Sequence, residues 1–399
     1  MALKCTGTNA LDGLPVAVSF GAEIQEVDSA AAAPAGSFLA PGFIDLQVNG
    51  YAGVDYNLPT TPLEEIGRSI RALYRTGVTR FYPTMVTNAA EIMVDCMRNV
   101  AEAKRRLPEG SAIEGIHVEG PHLSPVDGPR GAHPQEWIRP PDVELLHRMQ
   151  EAAGGLVRLV TLSPEWPEAP HYIEAAVRMG IIVSIGHTNA NADQIAAAVD
   201  AGATLSTHLG NGAHPMLPRH PNYIWDQLAE DRLTASFIAD GQHLPGAFMK
   251  AAFRAKGPTR RFVVTDVVWP AGATPGRYYL MGKEVELTPD DRVVLVGKNA
   301  AERILAGSGL PMHKAVANLV RLAGLNLTEA VRMATIDPAR AGKIAGRDAG
   351  LAPGQRGDVV EFRYDPYEPM IEILRTYEGG ALVYDGQRSA SSAATGSDH

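Results

Sequence analysis

From Pro41 to Asp266 the chain repeats one pattern: a short β-branched run, then a longer Ala-, Leu- and Arg-rich segment with helical spacing. That alternation implies serial βα units and a parallel sheet, because parallel neighbours need a crossover long enough to hold a helix. The runs predict strands over Phe43–Val48, Val78–Thr84, Ala112–Glu119, Val157–Leu162, Ile181–Gly186, Thr204–His208, Thr234–Ala239 and Arg261–Asp266. Helices are expected over Pro62–Thr76, Ala89–Arg106, Tyr172–Met179, Ala192–Ala201 and Pro245–Ala255. Eight units in about 250 residues is the arithmetic of a TIM-type (β/α)8 barrel. A doubly wound sheet alternates in the same way, and it is the placement of the polar residues that favours the barrel.

The flanks read differently. A strand-like start at Pro15–Phe20 and an Ala30–Gly36 linker precede the barrel, while the runs DVVEFRY and GGALVYDGQ follow Gly357. Residues 1–40 and 350–387 are therefore expected to join as a small discontinuous β-sandwich domain beside a barrel spanning 41–349, since chain termini often lie close together. Arg277–Val296 reads as an inserted hairpin, helices follow at Pro311–Ala323 and Thr328–Ala334, and the small, polar residues 388–399 are expected to be a disordered tail.

Composition narrows the partners. Hydrophobic residues at 45% and charged residues at 20% exclude wholesale disorder. A net charge of -9, from 36 Lys and Arg against 45 Asp and Glu, gives no basic field and argues against a nucleic-acid partner. No apolar stretch of about 18 residues occurs, so no membrane span is expected. The N-terminus has no apolar signal-like core, and a cytoplasmic location is expected. Cys5 and Cys96 can make neither a disulfide framework nor a thiolate zinc site, so any metal must be held by histidines and carboxylates.

Among twelve histidines, eight between residues 117 and 243 stand out: His117, His122, His133, His187, His208, His214, His220 and His243. Taken singly, each is more often a hydrogen-bonded structural residue than a ligand. Position persuades more. Glu119 follows strand three, His187 strand five, His208 strand six, His243 lies beyond strand seven, and Asp266 closes strand eight. Barrel enzymes carry their chemistry at that face, whereas residues kept for structure alone would scatter over both ends. Two imidazoles and one carboxylate make an open site for a Zn2+-type ion, with room for a water whose pKa the ion lowers towards 7. Asp266 is placed to take the proton of that water and pass it to a leaving amine; otherwise it reads as a helix cap or a hydrogen-bond partner of a ligand.

The strings PGFIDLQVNG, HVEGPHL, GAHP, GHTNA, THLGN, IADGQH and VTD, the last with PAG close behind, resemble the amidohydrolase superfamily, most closely its N-acetylglucosamine-6-phosphate deacetylases. The resemblance implies that Glu119, His187 and His208 hold one divalent ion per chain, Zn, with Fe, Co or Mn as alternatives, and that Asp266 is the general acid/base. It implies that His133 polarises the acetyl carbonyl. It places Ala132, Asn211, Gly212 and the loop carrying Leu305, Ala306 and Gly307 against substrate, and His243 against the sugar phosphate. Where many amidohydrolases carry an HxH pair, this chain has Gln47 and Asn49, poor ligands beside imidazole, which implies a mononuclear centre. Arg219 falls in register with a phosphate-binding arginine that in the family can reach a neighbouring subunit, so a homodimer is expected. The surrounding NGAHPM and PRHPN depart from the family pattern, and His214 and His220 read as solvated extras. The activity implied is hydrolysis of the acetamide of an N-acetyl amino-sugar phosphate, most closely N-acetylglucosamine 6-phosphate. The alternatives are an amide hydrolase for another N-acetyl hexosamine or N-acyl compound, and a catalytically silent assembly protein, against which the retained Glu119, His187, His208 and Asp266 argue.

Overall fold

A computed structural model of the chain describes residues 2–280, 282–297 and 305–386. Eight parallel strands follow one another in sequence order around a barrel: Phe43–Val48, Val78–Val86, Ile116–Glu119, Val157–Leu162, Ile182–Ile185, Leu205–Ser206, Thr234–Ile238 and Arg261–Val264. The first two bury every residue, as strands covered on both faces must. Strand three starts at Ile116 rather than Ala112 because Pro108–Ala112 forms a 3-10 turn. The helices pack outside. In Leu63–Tyr74, Ile66, Ile70 and Leu73 share the buried face, with Glu64 and Glu65 at the positive N-terminus.

Three helices lie beyond those expected: Val143–Ala152, Tyr223–Ala229 and Ile336–Ala341. The first two start at side-chain caps, Asp142 accepting from the Glu144 and Leu145 amides and Asn222 from those of Ile224 and Trp225. The inserted segment is larger than a hairpin. Gly276–Leu280, Lys283–Leu287, Arg292–Leu295 and Leu305–Ser308 form a four-stranded antiparallel sheet. Leu305, Ala306 and Gly307, expected in a loop, therefore lie in a strand whose end meets the barrel, with Val268 donating to the Ser308 carbonyl at 3.1 Å.

The β-sandwich domain has seven strands, in the order Ala381–Asp385, Met370–Glu378, Val359–Asp365, Ser37–Pro41, Leu3–Asn9, Pro15–Phe20 and Ile24–Ser29. Leu3–Asn9, Ile24–Ser29, Ser37–Pro41 and Met370–Glu378 were not among the strands expected from the sequence. Only Gly42 separates Ser37–Pro41 of the small sheet from the first barrel strand, and a Cβ there would collide with the Thr79 side chain. Residues 388–399 lie outside the described residues.

Buried charges join the two units. Arg80 grips Asp358 with two nitrogens at 2.7 and 3.1 Å and reaches Glu378 at 3.0 Å, while Arg347 donates to Asp358 and to the Gly42 carbonyl. Asp358 is fully buried. Removing one partner of such a network strands the others, so Asp358→Ala should cost about 3 to 5 kcal/mol, read as a lowered urea midpoint. A midpoint unchanged from wild type would show the network to be dispensable.

Candidate active site

One rim of the barrel, where all eight strands end, gathers the polar residues. Glu119 is the last residue of strand three, and His187, His208 and Asp266 each stand two residues beyond strands five, six and eight. These three have φ of 47°, 31° and 50°, in the left-handed region that side chains other than glycine rarely occupy. Backbone strain of this kind persists where surrounding structure enforces it, and functional sites are where it clusters.

Glu119 Oε1 is the centre of the group: His208 Nε2 lies at 2.9 Å, His187 Nε2 at 3.3 Å and the Gln47 side-chain amide at 3.1 Å. Burial would raise the Glu119 pKa, but the adjoining imidazoles of His187 and His208 outweigh it and hold the carboxyl well below its usual range. His187 Nδ1 donates to the Pro129 carbonyl at 2.8 Å, which leaves the Nε2 lone pair facing the carboxylate. Two acceptors turned towards each other are what a cation satisfies. His208 Nδ1 has no hydrogen-bond partner among the described residues. The ligand atoms of Glu119, His133 and His187 also lie within 4.8 Å of one another, so a third imidazole borders the same space. This donor set of buried imidazoles and carboxylate fits a divalent ion.

Two glycines keep the His187 ring in place. A Cβ on Gly212 would lie 2.5 Å from His187 Nδ1, and one on Gly131 would lie 3.0 Å from its Cε1; both residues have positive φ. His133 Nδ1 meets the Thr87 hydroxyl at 2.9 Å. The Thr87 hydroxyl also donates to the Glu119 carbonyl at 3.5 Å. Burial and the neighbouring His187 push the His133 pKa down to about 3, which keeps the ring neutral.

Asp266 Oδ1 accepts from the amides of Gln47 at 3.0 Å and Asn49 at 2.8 Å. These positions, read as lost metal ligands, thus act as donors. Burial first, then the charge of Glu119, pushes the Asp266 pKa up to about 6.

A cavity of about 590 Å3 opens over this floor. Ala132, His133, Asn211, Gly212, His243, Leu305, Ala306 and Gly307 line it together with Glu119, His187, His208 and Asp266. His243 is oriented by Asp240, whose Oδ2 accepts a hydrogen bond from its Nδ1 at 2.6 Å. Arg219 is absent from the lining: it is exposed, and no carboxylate pairs with it among the described residues. Among the described lining residues there is no lysine or arginine, and the charged side chains besides histidines are Asp55, Glu119, Glu136 and Asp266. Three further histidines are held by partners of their own. His117 bonds Thr161 Oγ1 at 2.7 Å inside the barrel, His122 meets the Arg139 carbonyl, and His214 is fixed by Tyr223. Trp137, Trp269 and Tyr279 in the wall, and Thr87 behind His133, were not signalled by the sequence motifs.

No protein-family model matches the chain. The N-acetylglucosamine-6-phosphate deacetylase of Bos taurus is 34% identical over 361 residues, covering 88% of this chain and 84% of that protein. The chain belongs to the N-acetylglucosamine-6-phosphate deacetylase family of amidohydrolases. The N-acetylgalactosamine-6-phosphate deacetylase of Shewanella sp. (strain ANA-3) is 35% identical over 356 residues, covering 88% of this chain and 84% of that protein. The solved N-acetyl-D-glucosamine-6-phosphate deacetylase of Mycobacterium smegmatis superposes with a TM-score of 0.85 at 29% identity, covering 96% of this chain and all of that one. No helix among the described residues is long and apolar enough to cross a membrane.

Proposed function

We propose that the chain hydrolyses the acetamide of an N-acetylhexosamine 6-phosphate, first of all N-acetylglucosamine 6-phosphate, giving the amino-sugar phosphate and acetate in the cytoplasm. The observation that carries this reading is the convergence of Glu119, His187, His208 and a separately held Asp266 at one barrel rim. We assign Glu119, His187 and His208 as ligands of one divalent ion, with zinc first and Fe, Co or Mn as alternatives. His208 is preferred to His133 because its Nε2 lies against the Glu119 carboxylate. When bound there, the ion supplies Lewis acidity, acidifying a water and polarising the acetyl carbonyl.

The chain's own groups do the rest. His133 donates to the carbonyl oxygen as negative charge develops on it. The amides on Asp266 Oδ1 leave Oδ2 to take up the proton of the attacking water and return it to the amine nitrogen as acetate departs. The backbone of Asn211 and Gly212, with Ala132 and the Leu305–Gly307 strand, holds the sugar, and His243 meets the phosphate. Residues 41–349 carry this chemistry, and residues 1–40 with 350–387 brace it.

A cavity without described lysine or arginine leaves the phosphate short of charge. Exposed Arg219 supplies it from a second copy, so the working unit is a homodimer. A charge-assisted contact of this kind is worth roughly 1.5 to 3 kcal/mol, so Arg219→Ala should raise KM for the 6-phosphate about 10- to 100-fold. Turnover of unphosphorylated N-acetylglucosamine should barely change, and equal losses on both substrates would make Arg219 structural. The 35% identity to an N-acetylgalactosamine-6-phosphate deacetylase supports the galacto epimer as the second reading.

A further inference from the structure

The seam that closes the barrel is built differently from its other strand contacts. Successive strands one to eight are joined by parallel registers, whereas strands eight and one meet at a single bridge, Val48 to Val267, among the described residues. At the rim, the Asp266 amide donates to the Gln47 carbonyl at 3.0 Å and the Asn49 amide to that of Val267 at 2.9 Å. Below them sits one buried carboxylate, Asp45, only 1% exposed. Its Oδ1 accepts the amide N–H of Gln47 on its own strand and that of Thr265 across the seam, both at 3.2 Å, and its Oδ2 accepts the Thr265 hydroxyl. Thr265 immediately precedes Asp266, and Gln47 and Asn49 carry the two amides that hold Asp266 Oδ1. Both sides of the acid/base are thus referenced to the same carboxylate. Asp45 does not line the cavity.

We infer that Asp45 is a positioning residue for Asp266, setting the seam so that the Gln47 and Asn49 amides occupy Oδ1 and leave Oδ2 for the proton. A buried carboxylate is a costly way merely to fill a core, and apolar residues of similar volume often do so as well. Three donors fix its direction, however, which apolar packing cannot do. The inference rests on Asp266 as the proton carrier.

The test measures kcat and KM for N-acetylglucosamine 6-phosphate, normalised to bound metal, in Asp45→Ala and Asp45→Asn, alone and combined with Asp266→Asn. Small displacements of a reacting group cost up to about 10²-fold, so Asp45→Ala should lower kcat at least about 10-fold with KM within about twofold. Asp45→Asn keeps an oxygen for the two N–H groups and should recover most of that loss. In the Asp266→Asn background, Asp45→Ala should do nothing more, because its effect runs through Asp266. Should Asp45→Ala not fold, Thr265→Val, which removes only the hydroxyl donor, should give a smaller loss in kcat alone. Wild-type kcat in whichever of these two folds, or the same fold-loss in both backgrounds, would overturn the inference. Full turnover by Asp266→Asn alone would instead overturn the proton-carrier reading, and the role of Asp45 with it.

Discussion

Asp266→Asn should leave the protein folded and metal-loaded while lowering kcat by at least about 10²-fold, the scale of a lost general acid/base. An amide keeps the shape and can still meet the side chains of Gln47 and Asn49, so binding and stability have little reason to change. What is lost is a site that can both take and give a proton. Near-normal turnover by this variant would mean that the proton travels elsewhere, and the mechanism would have to be redrawn around another group.

Glu119→Gln should have the larger effect still, because it removes the charge at which His187 and His208 converge. Wild-type protein should carry about one divalent ion per chain after dialysis, since the side-chain amide of Gln47 already occupies the space between Glu119 and Asp266 that a second ion would need. The variant should carry almost none and release no measurable acetate. Elemental analysis beside an activity assay decides this: two ions per wild-type chain would sink the mononuclear reading, and a fully loaded variant would remove Glu119 from the ligand set.

The barrel was legible because its strands are short apolar runs and its helices follow an amphipathic spacing, both local properties of the chain. Glu119, His187, His208 and Asp266 were legible for a related reason: strand ends can be read from the same runs, and all four fall there. What escaped was non-local. Gln47 and Asn49 looked like lost ligands, and only a contact with a residue more than two hundred positions away shows that they hold Asp266. Gly131 and Gly212 brace His187 from distant loops, and no local pattern announces a close approach. Leu305–Ser308 is a short strand whose pairing partner, Arg292–Leu295, lies across an intervening segment, so alternation alone read it as loop. The helix Val143–Ala152 was hidden behind Pro140 and Pro141, although Asp142 is a strong cap.

Acetate release by the metal-loaded protein from N-acetylglucosamine 6-phosphate, N-acetylgalactosamine 6-phosphate and the two unphosphorylated sugars tests the proposed activity most simply. The expected result is one acetate and one free amine per substrate consumed, highest kcat/KM on N-acetylglucosamine 6-phosphate, and loss of turnover when a chelator strips the ion. No acetate from any of the four, or undiminished turnover by the stripped protein, would contradict it.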